Sequence, residues 1–142
     1  MGKKDKPAKA YAQFAALPWR RAGDGAVEVL LITSRETKRW VIPKGWPMAD
    51  RDAVGTAAQE AWEEGGVRGR MEQRPLGLYG YDKWKNDRAQ PMAVTVFALE
   101  VTDIADAWPE MDERERLWTS PTEAAARVAE PELAAILKRF VP

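Results

Sequence analysis

Histidine and cysteine are both missing from this 142-residue chain. Without cysteine there can be no disulfide, no thiolate zinc site and no cysteine nucleophile. Without histidine the commonest general base and the usual zinc ligand are gone, so any chemistry must run on carboxylates, lysine, tyrosine, hydroxyls and a hard metal ion. An excess of either charge is also lacking, because 22 Lys and Arg balance 22 Asp and Glu. No global field favours a membrane surface or a nucleic-acid backbone, and polymeric nucleic acid is not expected as a partner. No apolar run is long enough to span a bilayer or serve as a signal peptide, and Lys6 spoils the pattern for N-myristoylation. There is no internal repeat. The expectation is a soluble cytoplasmic protein with a single domain over residues 1–142, a length that bounds one core large enough to fold alone. Residues 1–11 form a flexible basic N-terminus in this reading.

The informative stretch is KGWPMADRDAVGTAAQEAWEEGGV, Lys44 to Val67. Asp52 is a natural N-cap, and Gly65-Gly66 offer left-handed positions that stop a helix. At about 100° per residue, Glu60, Glu63 and Glu64 share one sector, while Val54, Ala57, Ala58, Ala61 and Trp62 lie on the other side. Like charges at this spacing repel by a few tenths of a kcal/mol per pair unless a cation sits among them. Oxygen-only ligands select magnesium, manganese or calcium over softer metals. Taken alone, an acidic helix face reads as solvated; its flanks decide otherwise.

With those flanks the segment resembles the signature of the Nudix hydrolases, G-x5-E-x7-R-E-U-x-E-E-x-G-U, where U is aliphatic. The first glycine falls on Gly45, and the latter part falls on Gln59-Glu60-Ala61-Trp62-Glu63-Glu64-Gly65-Gly66-Val67 without a gap. Two positions depart from the pattern: Arg51 stands for a glutamate, and Gln59 for an arginine that helps orient the glutamates in the family. The resemblance implies a hydrolase of phosphoanhydride bonds that uses Mg2+ or Mn2+. It implies Glu60, Glu63 and Glu64 as catalytic residues and metal ligands, with the Gly45 carbonyl completing the ligand set. Which glutamate acts as base stays open. A further carboxylate from downstream would come from Glu110, Asp112, Glu113 or Glu115. The chemistry is coherent, since phosphoanhydride oxygens repel an attacking water and need both cations and a base.

The rest of the chain alternates strands and helices. AVEVLLIT, residues 26–33, is a β-branched apolar run that reads as a central strand, and Trp40-Val41-Ile42 ends at Pro43 before the Gly45 loop. Residues 75–81 and 92–101 read as paired strands joined by a polar loop from Asp82 to Gln90, and ERERLWT as a further strand. Ser120-Pro121-Thr122-Glu123 is a capping box that starts a helix, which Pro131 breaks or kinks. The expected class is α/β: an α/β/α sandwich with a mixed sheet and helices on both faces.

Arg20, Arg21, Arg35, Lys38, Arg39 and Lys44 precede the acidic helix, and Lys83, Lys85 and Arg88 follow it. Of these, Arg20, Arg35, Arg39, Lys44, Lys83 and Lys85 are the expected substrate-binding cations. The layout over residues 12–140 is similar to the diphosphoinositol polyphosphate phosphohydrolase branch of the family, which implies diphosphoinositol polyphosphates or dinucleoside polyphosphates as substrates. A nucleoside diphosphate-X or nucleoside triphosphate pyrophosphatase is the alternative enzyme, and a Nudix-fold ligand-binding module the alternative of another class. Trp46, Trp84, Tyr79 and Tyr81 could stack on a base, although Tyr79 and Tyr81 at strand spacing simply share one side of a sheet. The expected partner is a small phosphorylated molecule, and the oligomeric state is open.

Overall fold

A computed structural model describes residues 9–142; the expected flexible tail lies largely outside these residues, but its last position, Tyr11, already belongs to a strand. In chain order the elements are β1 (Tyr11–Arg21), β2 (Val27–Thr33), β3 (Trp40–Val41), β4 (Lys44–Gly45), α1 (Ala53–Gly65), β5 (Val67–Met71), β6 (Gly77–Lys85), β7 (Arg88–Ile104), β8 (Arg116–Thr119), α2 (Pro121–Arg127) and α3 (Pro131–Lys138). The backbone of the sheet runs β3-β2-β1-β7-β5, with β4 on β1, β6 on β7 and β8 on β2. Among the described residues only β1 and β7 pair in parallel, from Tyr11 opposite Met92 to Trp19 opposite Glu100; the other pairings there are antiparallel. The sheet is mixed, as expected.

Both faces of the sheet are buried along its middle, which is why β2 reads as a mostly apolar run, unbroken from Val29 to Ile32. Val29 and Leu31 point to one core with Ala15 and Leu17 of β1, where α2 and α3 contribute Ala124, Leu133, Ile136 and Leu137. Leu30 and Ile32 point to the other core with Ala16, against Ala57 and Ala61 of α1. Helices therefore cover both faces, completing the α/β/α sandwich. Among the described residues no helix is long and apolar enough to cross a membrane.

The boundaries of α1 follow its sequence. Asp52 accepts from the Gly55 N–H at 2.7 Å, and Gly66, with φ +67°, returns its N–H to the last carbonyls of the helix. Gly65 remains helical, so one glycine rather than two takes the left-handed position. Ser120 caps α2 by accepting from the Glu123 N–H at 3.1 Å, and the segment after Pro131 is a separate helix rather than a kinked continuation. The expected polar loop from Asp82 to Gln90 is instead a continuous hairpin: β6 and β7 pair up to Lys85 opposite Arg88. Asn86 and Asp87, with φ 53° and 61°, make the two-residue turn, a conformation that suits the twist of antiparallel strands. Strands β1 and β5 were not expected from the sequence, and the expected Gly45 loop is instead the short strand β4, paired with β1.

Candidate active site

A cleft of about 930 Å3 is bounded by α1, β4, β6, the turn between β2 and β3, the loop before β8, and the junction of α2 with α3. Strand β4 is clamped on two sides. Its Lys44 and Gly45 pair with Ala15 and Phe14 of β1, and the Lys44 N–H donates to Glu64 Oε1 at 3.3 Å. Gly45 packs so closely on Glu60 that a Cβ there would collide with the Glu60 carboxylate. The loop before β8 grips the far end of α1, with the Trp108 indole donating to the Glu64 carbonyl at 3.1 Å and the Glu110 N–H donating to the Glu63 carbonyl at 3.0 Å.

Glu60 and Glu64 both line the cleft, and Glu110 joins them from the loop. Burial first, then the adjacent Glu64 through repulsion and a shared hydrogen bond, and then Glu63 and Glu110, push the Glu60 carboxyl up to about 8. Glu64, only 8% exposed, is also raised by burial despite the opposing fields of Arg114 and Lys44. Both carboxyls are thus biased toward the neutral form. Arg114 is the counterweight: only 8% of its side chain is exposed, its Nε donates to Glu110 at 2.9 Å and its Nη1 to the Thr33 carbonyl at 3.0 Å, while its Nη2 lies 3.6 Å from Glu64.

Glu63 points elsewhere. At about 100° per residue it lies some 60° to one side of Glu60, whereas Glu64 lies about 40° to the other, so the cleft wall takes Glu60 and Glu64. Gln59, which stands at the signature's arginine position, donates to Glu63 at 2.6 Å on that outer side. Among the described residues no group of three acidic side chains converges to metal-holding geometry. The donors that do converge still suit a hard dication: two carboxyls biased toward the neutral form would lose protons on binding it, and a backbone segment approaches them without a Cβ in the way.

Of the expected phosphate-binding cations, Arg35, Arg39, Lys44 and Lys83 line the cleft. Lys44 lies in the fields of both Glu64 and Glu130, yet its pKa is lowered because burial outweighs them. Its ammonium sits 5.1 Å from the Tyr81 ring centre. Arg20 is not brought to the cleft; it pairs with Glu28 at 2.9 Å and stacks on Trp118 at 4.0 Å. Lys85 lies at the hairpin tip, where it borders a separate shallow depression with Arg88 and Lys9. Trp46 and Trp84 line the cleft, the latter 70% exposed. Tyr79 and Tyr81 do share one side of the sheet, with ring centres 6.3 Å apart. Gln13, Arg114 and Glu130 also reach the cleft and were missed from sequence, since they come from three distant segments that only the tertiary fold unites. Of the downstream carboxylates only Glu110 lines the cleft; Asp112, Glu113 and Glu115 do not.

Fold and cleft together define an α/β/α protein with a carboxylate-lined cavity at the sheet edge of one helix. The chain belongs to the NUDIX domain family, whose pattern matches residues 12–141. It is 33% identical over 107 residues to Nudix hydrolase 13, mitochondrial, of Arabidopsis thaliana, covering 71% of this chain and 53% of that one. It is 34% identical over 82 residues to diphosphoinositol polyphosphate phosphohydrolase 3-alpha of Mus musculus, covering 57% of this chain and 46% of that one. The chain spans about half the length of the curated relatives it matches. In fold it is similar to a binary complex of the C. elegans Ap4A hydrolase, with a TM-score of 0.68 at 17% identity over 92% of this chain and 95% of that one.

Proposed function

We propose that this chain hydrolyses phosphoanhydride bonds in diphosphoinositol polyphosphates or dinucleoside polyphosphates, using Mg2+ or Mn2+. The observation that carries this reading is the Glu60–Glu64 pair, with Glu64 buried, Glu60 half-buried against the Gly45 backbone, and both carboxyls raised by burial. Glu60, Glu64 and the Gly45 carbonyl would hold the ion, and Glu63 would join by leaving Gln59. When bound, the ion supplies positive charge to phosphate oxygens and acidifies a nearby water.

The chain's own groups do the rest. Arg114 holds Glu64 and Glu110 in place, so that neither swings toward an incoming phosphate. Lys44, Arg39, Arg35 and Lys83 offer cations along the cleft to the polyphosphate. A carboxylate of the pair, once deprotonated, accepts the proton of the attacking water. Support for the substrate classes comes from sequence similarity to a diphosphoinositol polyphosphate phosphohydrolase and from fold similarity to an Ap4A hydrolase. The test is a phosphate-release screen over both classes and over nucleoside diphosphate-X and nucleoside triphosphate substrates, with Mg2+ or Mn2+ and with a metal-free control. Metal-dependent turnover is expected, and no turnover of any of them would refute the reading.

A further inference from the structure

The last carbonyls of a helix have no partner within the helix, because no further turn supplies donors. At the end of α1 the carbonyls of four successive residues are all taken by one stretch, residues 105–116. The Glu63 carbonyl accepts from the Glu110 N–H at 3.0 Å, and the Gly66 carbonyl from the Ala105 N–H at 2.8 Å. Between them, the Glu64 carbonyl accepts from the Trp108 indole at 3.1 Å and the Gly65 carbonyl from Arg116 Nη1 at 3.3 Å. The two side-chain donors support each other, since the Arg116 guanidinium lies 3.8 Å from the Trp108 ring centre. Gly66 lets that ring close on the backbone, where a Cβ would stand 2.7 Å from it.

The same stretch also faces the cleft. It brings Glu110 to the wall and sets Arg114 against both Glu110 and Glu64. How far apart the two carboxylates stand therefore depends on how this stretch sits on the helix end. Glu64 belongs to the last turn of α1, and helix ends fray. Arg114 restrains its carboxylate, whereas Trp108 restrains its peptide. Trp108 does not itself line the cleft. Groups that hold a metal ligand in place, without touching the metal, commonly govern affinity nearly as much as the ligands do.

We propose that Trp108 is a positioning residue for the ion-holding end of α1, its indole N–H fixing the Glu64 peptide against the stretch that carries Glu110 and Arg114. This rests on the metal-holding part of the proposed hydrolase reading.

The test is calorimetric titration of the full chain with Mg2+, without substrate, for the parent, Trp108→Phe and Ser120→Ala. Trp108→Phe keeps an aromatic ring beside Gly66 and Arg116 but has no N–H to donate. It should raise the Mg2+ dissociation constant about tenfold, the lower end of the loss expected when a ligand's support is removed. Ser120→Ala removes the cap of α2 and lowers stability without touching α1, so it should leave that constant unchanged. In the parent, the assigned indole N–H resonance of Trp108 should shift in step with Mg2+ binding. Trp108→Phe binding Mg2+ as tightly as the parent, a loss no greater than that of Ser120→Ala, or a resonance that stays still while the ion binds would overturn the proposal. If Trp108→Phe does not fold, the resonance decides. Turnover by the parent together with unchanged Mg2+ affinity in Trp108→Phe would remove the positioning role and leave the hydrolase reading. The tenfold loss with no turnover of any substrate would do the reverse, and a parent that binds no Mg2+ would overturn both.

Discussion

The raised pKa of the Glu60 carboxyl makes a thermodynamic prediction. The group ionises near 4.5 in an unfolded chain and at about 8 in the fold, chiefly through burial and then through Glu64. The folded state therefore binds its proton more tightly. The stability it contributes is fully present below pH 4.5 and is lost as pH rises through about 8. A tenfold gain in proton affinity on folding is worth about 1.36 kcal/mol, but the group is only partly buried, and screening by solvent reduces the usable effect to about 1–2 kcal/mol in all. For a chain of this size that is a melting temperature about 3–6 °C lower at pH 9 than at pH 5 from this site. The assay is thermal unfolding in chelator from pH 5 to 9, for the parent and for Glu60→Gln. The difference between the two curves reports the coupled Glu60–Glu64 pair and should decline across that range. In saturating Mg2+ the decline should vanish or reverse, because the ion takes the place of the proton. Parallel curves in chelator would refute the account of this pair.

Four variants sort the surrounding parts. Gly45→Ala should leave the melting temperature nearly unchanged, because the Glu60 side chain can rotate away from the added Cβ, yet it should cost most of the Mg2+ affinity measured by titration. Gly66→Ala forces an L side chain to φ +67° and sets its Cβ 2.7 Å from the Trp108 ring, so unfolding should show a loss of about 2–3 kcal/mol. Neutralising Lys83, which lines the cleft, should raise the Michaelis constant severalfold, whereas neutralising Lys85 and Arg88 together at the hairpin tip should change it little.

Much of the scaffold could be read locally. The Asp52 cap, the Gly66 stop and the two-faced apolar run of β2 each carry their own signal, and each appears where the sequence puts it. Strand β1 does not announce itself, because its alanines favour helices and Pro18 argues against a strand interior. Strand β5, VRGRM, is short, mostly exposed and charged, as an edge strand often is. The polar arms of the β6–β7 hairpin looked like a loop because both of their faces are wet near the tip, and the pairing with β7 rather than burial makes them strands. Within the cleft, helical periodicity grouped Glu60, Glu63 and Glu64 and offset Glu63 to one side, but the packed neighbours show on which side the cleft lies, so that two face inward and one pairs with Gln59. Arg114 and Glu130 had no local signature at all. One is a buried cation among like-looking charges of ERER, and the other a glutamate before a proline.

The most direct measurement of the central claim is the initial rate of phosphate release as a function of Mg2+ concentration, for the parent, Glu60→Gln and Glu64→Gln. The account predicts no turnover in chelator, saturable activation of the parent, and at least about tenfold more Mg2+ needed for half-activation in each variant, in line with losing one charged ligand. Turnover in chelator, or variants that match the parent in limiting Mg2+, would contradict it.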